Sequence, residues 1–533
     1  MHATVADRLA RLSPDQHAAA TAPPGPVLCV APAGSGKTTT LVARVAWRID
    51  AGTDPAAICA LTFNRRAAEE LRSRLDEALA PLVDDPGELR VRTFHALGRE
   101  ILRDAGRPVE PLLDRQEVIA ALAGVALPAA TMRRLDDGFS RLKLDQGLDL
   151  ARARALLDPT GGSSTAAAAE ARGRLDLEAF IAYESELERL GGLDFDDLVA
   201  RALRALTAEA SLRERWRARC RVLFVDETQD LDRSQLQLAC LLAAPENDTF
   251  LVGDDDQTIY AWRLADVRRI LSLAASLPGL RRVDLVTNRR CPPAVVDRAA
   301  RLVAQNRERF PKRIQAAPMA TGDLSLRPDP SDDVTRARRL LRSWVADLRA
   351  PDPPTHAVLA RTNRELAPYA AAALELGLPY HAESDGLEAL DDPGVGPSET
   401  DRARWSLGRA DGPTLDDAIA AAAAARAALR RPDAPLILAT AHGTKGLEFD
   451  VVACIGLDEG VFPSARTLAE AETPWRALEE ERRLAYVAWT RARRRLILVY
   501  DPGAPSPFLT EAFDAAELAA AWHSMQQTDR GTG

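Results

Sequence analysis

Short apolar runs alternate along this chain with stretches whose apolar positions recur every three or four residues, the sign of buried strands followed by helices. Val27 to Val30 reads as a buried strand, and Leu41, Val42, Val45 and Ile49 follow at helical spacing. Ala57 to Phe63 reads as a second strand, with a helix whose Ala68, Leu71, Leu75 and Leu79 share one face; Val91-Arg-Thr-Phe-His95 repeats the arrangement. From Asp104 to Gly192 the strand signal fades. That segment is expected to be a helical insertion with its own small core and a loose loop from Asp158 to Thr165. Strands return at Val222 to Val225 and Thr249 to Val252. From about Arg281 a second α/β unit is expected, its strands at Val283–Val286, His356–Ala360, Leu436–Ala439, Val451–Ile455 and Leu496–Tyr500. The fold class is therefore α/β, built on parallel sheets with helical insertions.

Composition narrows this picture. A chain of 533 residues exceeds one core, and 69 Lys and Arg against 78 Asp and Glu leave a net charge of −9, so any nucleic-acid contact must come from a local basic surface. Six cysteines are scattered without a Cys-x-x-Cys pair, which suits buried free thiols in a reducing compartment, with the cytoplasm as the default. No apolar segment approaches a membrane span, and no membrane partner is expected.

The stretch Ala31-Pro-Ala-Gly-Ser-Gly-Lys-Thr-Thr-Thr40 sits where a strand turns into a helix. Small residues there let backbone N–H groups surround phosphate oxygens, Lys37 reaches the outer phosphates, and Thr38 holds Mg²⁺. Asp226 and Glu227 follow the apolar run Val222–Val225, where a second metal anchor and a group that activates water are expected in a phosphate-loop protein. Gln257, in an acidic loop after the next strand, is placed to sense a γ-phosphate. Gln16 lies three residues after Ser13 and Pro14, a capping-box spacing that needs no ligand. Phe63 beside Arg65 and Arg66 suits either core packing or a base-stacking platform; Tyr260 and Trp262 alone read as core. The acids of Asp194-Phe-Asp-Asp197 read as complements to a helix start. Leu484, Val487, Ala488 and Arg491 share one helical stripe, which aims Arg491 inward, towards an anionic partner.

In order, Gln16, Ala31 to Thr38, Thr62-Phe-Asn-Arg-Arg-Ala-Ala68, Thr93-Phe-His95, Asp194 to Asp197, Val225 to Asp230, Val252 to Arg263, Asn288-Arg-Arg290, His442 to Phe449 and Glu480 to Ala492 resemble the UvrD/Rep/PcrA family of superfamily 1 DNA helicases. The resemblance implies two RecA-like domains with ATP in the cleft between them: 1A at 1–103 and 193–278, and 2A at 279–382 and 436–510. It also implies an insertion 1B at 104–192, a remnant of the 2B insertion at 383–435 and a tail at 511–533. It makes Gln16 the adenine reader, with Ala33, Gly34, Ser35, Gly36, Lys37, Thr38, Thr39, Arg289 and Glu448 also around the nucleotide. Asp226 joins Thr38 on Mg²⁺, Glu227 becomes the general base, and Gln257, Arg290, Arg491 and Lys445 serve the γ-phosphate. Phe63, Arg66, His95, Tyr260, Trp262, Arg263 and His442 become the DNA track.

The implied activity is an ATP-dependent 3′→5′ translocase or helicase on single-stranded DNA or a 3′-tailed duplex, placed among DNA repair proteins. Two other readings stand beside it: a motor subunit working with a nuclease or repair partner, as in recombination complexes or Gabija-like phage defence, and a DNA-stimulated ATPase switch that does not unwind alone. Three positions depart from the family pattern. Thr39 stands for Arg and Arg289 for Tyr, which predicts weaker adenine selectivity, and Pro32 stands for Gly, removing an N–H donor.

Overall fold

The computed structural model describes residues 1–83, 88–157, 167–388 and 414–531. The loop expected at 158–165 lies outside them, as does residues 389–413 of the expected 2B remnant. The chain divides into two units, one of Met1–Pro32 and Gly36–Leu285, the other of Ala33–Ser35 and Val286–Gly533.

The first unit holds a six-stranded, wholly parallel sheet: β1 (Val27–Val30), β2 (Ile58–Thr62), β3 (Arg90–Thr93), β4 (Val222–Val225), β5 (Thr249–Gly253) and β6 (Arg281–Asp284), in the order β3-β2-β4-β5-β1-β6. Strands β1, β2, β4 and β5 are buried throughout, as parallel strands covered on both faces must be. β6 corrects the expected boundary. The segment assigned to the second unit pairs with β1, Val283 opposite Cys29, and Leu285 lies in the first core, so the unit runs on to Leu285. An edge strand carries the same apolar signature whichever sheet it joins, which is why the pattern alone misplaced it.

Because all six strands run the same way, the residues that follow them gather at one edge. That edge carries the phosphate loop after β1, Phe63 after β2, His95 after β3, Asp226 and Glu227 after β4, and Asp254 to Gln257 after β5. The helical insertion has a core of its own, in which Val118, Ile119, Phe139, Phe180, Tyr183 and Leu187 pack together.

The second unit holds another six-stranded parallel sheet: β7 (Asp323–Pro328), β8 (His356–Ala360), β9 (Tyr380–His381), β10 (Leu436–Thr440), β11 (Phe449–Cys454) and β12 (Ala492–Tyr500), in the order β9-β10-β8-β11-β12-β7. β7 and β9 were not foreseen. β7 is only partly buried and β9 has two residues, so neither shows a long apolar run. The helix Leu415–Leu429 starts on a capping box between Thr414 and Asp417, and its buried Arg426 grips Asp385 through two nitrogens at 2.8 and 2.9 Å. The expected tail is instead the helices Pro507–Ala512 and Ala515–Gly531, anchored where Arg298 donates to the Ala512 carbonyl and pairs with Glu517 at 2.7 Å. No helix among the described residues is long and apolar enough to cross a membrane.

Candidate nucleotide and DNA sites

Gly36 begins the helix Lys37–Asp50 in a left-handed conformation, φ 84°, and a Cβ there would lie 2.5 Å from Nε2 of Gln16. Glycine is thus required twice, by its φ and by the close side chain. Gln16 makes the cap and also reaches the loop. Its Oε1 accepts from the Ser13 N–H at 3.1 Å, capping its own helix, while its amide nitrogen lies against the phosphate loop. The brace is Arg44. This buried guanidinium donates to the carbonyls of Ala19, Ala20 and Ala22, tying the helix Pro14–Ala20 to the helix that follows the loop, and burial lowers its pKa to about 10. Ala33 and Ser35 are buried; Thr39 and Arg289 are exposed.

The Lys37 ammonium lies 3.3 Å from Oε2 of Glu227, which sits at φ 50°, a backbone angle rare for a residue with a side chain. Asp226 is buried, and that burial, with Glu227 beside it, pushes its carboxyl up to about 7. A carboxylate so placed is short of positive charge, which is the condition a divalent cation would relieve. Among the described residues no three His, Cys, Asp or Glu are grouped to hold a metal.

One residue the motif contained but the sequence reading gave no role is Gln229. Its Nε2 donates to Glu227 Oε2 at 2.6 Å, its Oε1 accepts from the Asp254 N–H at 3.0 Å, and Asp254 Oδ2 in turn accepts from Gln257 Nε2 at 2.6 Å. Gln229 and Gln257 are almost fully buried. A hydrogen-bonded line therefore runs from Lys37 through Glu227, Gln229 and Asp254 to Gln257, three residues before Tyr260.

Taken alone, Tyr260 and Trp262 suggest core packing, but Trp262 is 53% exposed and Tyr260 is half-buried. Phe63 and Tyr260 stack with centroids 5.5 Å apart and planes within 4°, Trp262 meets Tyr260 edge-on, and the Arg263 guanidinium lies 4.7 Å from the Trp262 ring. Arg66 is exposed in the first turn of the helix Arg65–Leu79. His95 stacks at 3.9 Å on Phe195, which is 55% exposed and which the sequence reading had not named. Burial pushes the His95 imidazole down to about 4, so the ring is neutral at physiological pH. The crossing that brings these two rings together depends on Gly98: a Cβ there would lie 2.2 Å from the Leu198 carbonyl oxygen. Gly98→Ala is expected to cost about 1–3 kcal/mol through forced separation of the helices Phe94–Asp104 and Asp197–Ala208, read as a lowered unfolding midpoint in urea.

In the second unit, Arg290 donates to Glu448 Oε2 at 2.7 Å and to the Thr490 carbonyl. Arg491 is 1% exposed and donates to the carbonyls of Val487 and Leu447 and to the Thr490 hydroxyl. Arg290, Glu448 and Arg491 thus share one cluster where β11 and β12 begin. The opposite ends of β8 and β10 carry Arg361, held by Glu481 at 2.6 Å, and His442. Burial, then Arg361 and Lys445, push His442 down to about 4.

The model of the UvrD/REP helicase N-terminal domain matches residues 12–278, and that of the UvrD-like helicase C-terminal domain matches 422–502. The chain is 30% identical over 555 residues to the ATP-dependent DNA helicase UvrD2 of Mycobacterium tuberculosis, an alignment covering 92% of this chain and 78% of that protein. It belongs to the UvrD/REP helicase family. The ATP-dependent DNA helicase PcrA of Leuconostoc citreum is 26% identical, over 89% of this chain and 80% of its own, and DNA helicase II of Salmonella typhimurium is 25% identical, over 92% and 84%. Mixed α/β units with parallel sheets agree with the two RecA-like domains of a UvrD-type helicase.

Proposed function

We propose that this chain is an ATP-driven motor on single-stranded DNA, moving 3′→5′ and unwinding 3′-tailed duplex. The observation that carries this reading is the hydrogen-bonded line from Lys37 to Gln257, which links the phosphate loop to the loop bearing Tyr260, Trp262 and Arg263. A shift at Glu227 as the γ-phosphate leaves is passed to stacked rings that hold a base, so hydrolysis changes grip. Stacking tolerates every base, which suits movement along DNA of any sequence.

Each residue has a task on this reading. Gln16 reads adenine, the loop Ala33–Thr38 surrounds the phosphates, and Glu227 takes the proton of the attacking water. Arg290, Arg491 and Lys445 offset charge that develops on the γ-phosphate, with Glu448, their neighbour, at the ribose. Thr38 and Asp226 would hold Mg²⁺, which supplies charge neutralisation between the outer phosphates. Phe63, Tyr260, Trp262, His95 and Phe195 stack on bases, while Arg66, Arg263 and His442 line the backbone. Six free thiols, five of them buried, fit the cytoplasm as the compartment.

The test is a single-strand translocation assay in which the motor arrives at either a 3′- or a 5′-labelled end, run beside unwinding of a 3′-tailed duplex. Arrival only at the 5′ end, with ATP consumed and DNA required, is expected. ATP hydrolysis stimulated by DNA without arrival at either end would leave a switch in place of a motor.

A further inference from the structure

The acids of Asp194 to Asp197 do more than complement a helix start. Lys143, 1% exposed on the helical insertion, places its ammonium 2.8 Å from Asp194 Oδ2, 2.8 Å from Glu184 Oε1 and 3.1 Å from Asp197 Oδ1. Arg115, from the same insertion, reaches Asp194 at 2.8 Å and Asp196 at 2.6 Å; Tyr183 donates to Asp194 at 2.7 Å and Ser140 to Asp196 at 2.6 Å. The turn also closes on itself, since the Asp194 and Asp197 N–H groups each donate to the other's carboxylate, at 3.2 and 2.9 Å. Lys143, Arg115 and both hydroxyls come from the insertion, while Arg201, one turn into the helix that follows, adds a further ion pair to Asp197 at 2.9 Å; three of the four carboxylates come from the turn.

Burial disfavours charge on these groups, yet the Lys143 and Arg115 charges outweigh it and hold the Asp194 carboxyl well below the usual carboxylate range. An apolar residue would fill the space at less desolvation cost, so the ion set has to be explained by something packing alone does not give, a single fixed geometry. What this geometry presents is Phe195. It stands between Asp194 and Asp196, and its ring is half in solvent, so its direction follows from the backbone that those two acids pin.

We propose that Lys143 is a positioning residue for DNA grip: by fixing the turn at Asp194–Asp197 it sets Phe195 against His95, so that the helical insertion governs how the first unit holds a stacked base. The inference rests on the reading of Phe195 and His95 as DNA-stacking residues.

Lys143→Met and Phe195→Ala, alone and together, are to be measured by fluorescence anisotropy on a labelled oligothymidylate, with thermal unfolding alongside. Phe195→Ala is expected to weaken binding by roughly tenfold, the loss of one stacking partner. Lys143→Met is expected to match it within about a factor of two, and the double variant to bind no more weakly than Phe195→Ala alone. Folded Lys143→Met with parental affinity, or losses that multiply in the double variant, would overturn the positioning role. Parental affinity in Phe195→Ala would instead overturn the stacking reading beneath it. If Lys143→Met does not fold, the same cycle with Ser140→Ala, which removes the hydrogen bond to Asp196 and the one accepted from Arg115 but leaves every charge in place, decides the matter by the same criterion of coupling to Phe195.

Discussion

Glu227→Gln is expected to lower DNA-stimulated ATP turnover by roughly 10²–10⁴-fold, the usual worth of a general base, and to leave binding to single-stranded DNA near its parental strength. The substitution keeps the shape of the side chain and one oxygen for Gln229, so the line towards Gln257 persists. What it removes is the negative charge that attracts Lys37 at 3.3 Å and the lone pair that accepts a proton from water. The stacking residues belong to other loops of the same sheet edge and lose no contact. Phosphate release with excess DNA reads the first effect and anisotropy reads the second; unchanged turnover would remove Glu227 from the catalytic role.

Trp262→Ala is expected to weaken single-stranded DNA binding by about 1–3 kcal/mol, the range measured when a base loses its aromatic partner. The ring is 53% exposed, touches Tyr260 only edge-on and is overlain by Arg263, so little core packing is lost with it. Binding should fall to a similar degree on pyrimidine and mixed-sequence strands, because a π-face contact reads no base edge. A lowered unfolding midpoint with unchanged DNA affinity would return Trp262 to the core role suggested by the aromatic taken alone.

The strand, turn and helix around Gly36 were legible because all their parts are local. A buried strand, small residues and a lysine–threonine pair lie within a dozen positions, and the helix start they require follows directly. The placement of β6 was not, since an edge strand's partner is chosen by the sheet it can reach and by packing such as that of Leu285, which no neighbouring residue encodes. The same holds for the acids at 194–197. Charge at a helix start is a sufficient explanation until Lys143, some fifty residues earlier, is found buried among them.

From the sequence alone came the identity of the motor elements, the two α/β units, the helical insertion and the residues at strand ends, because strand polarity in a parallel sheet sends every such residue to one edge. Only the tertiary structure decided which of them meet. It put Gln16 beside Gly36, inserted Gln229 between Glu227 and Asp254, exposed Trp262, paired Arg290 with Glu448, and stacked Phe195 on His95. Each of these joins residues far apart in the chain or turns on which face of a loop is covered. Such contacts depend on the packing of whole elements, for which a local pattern of apolar and polar positions carries no signal.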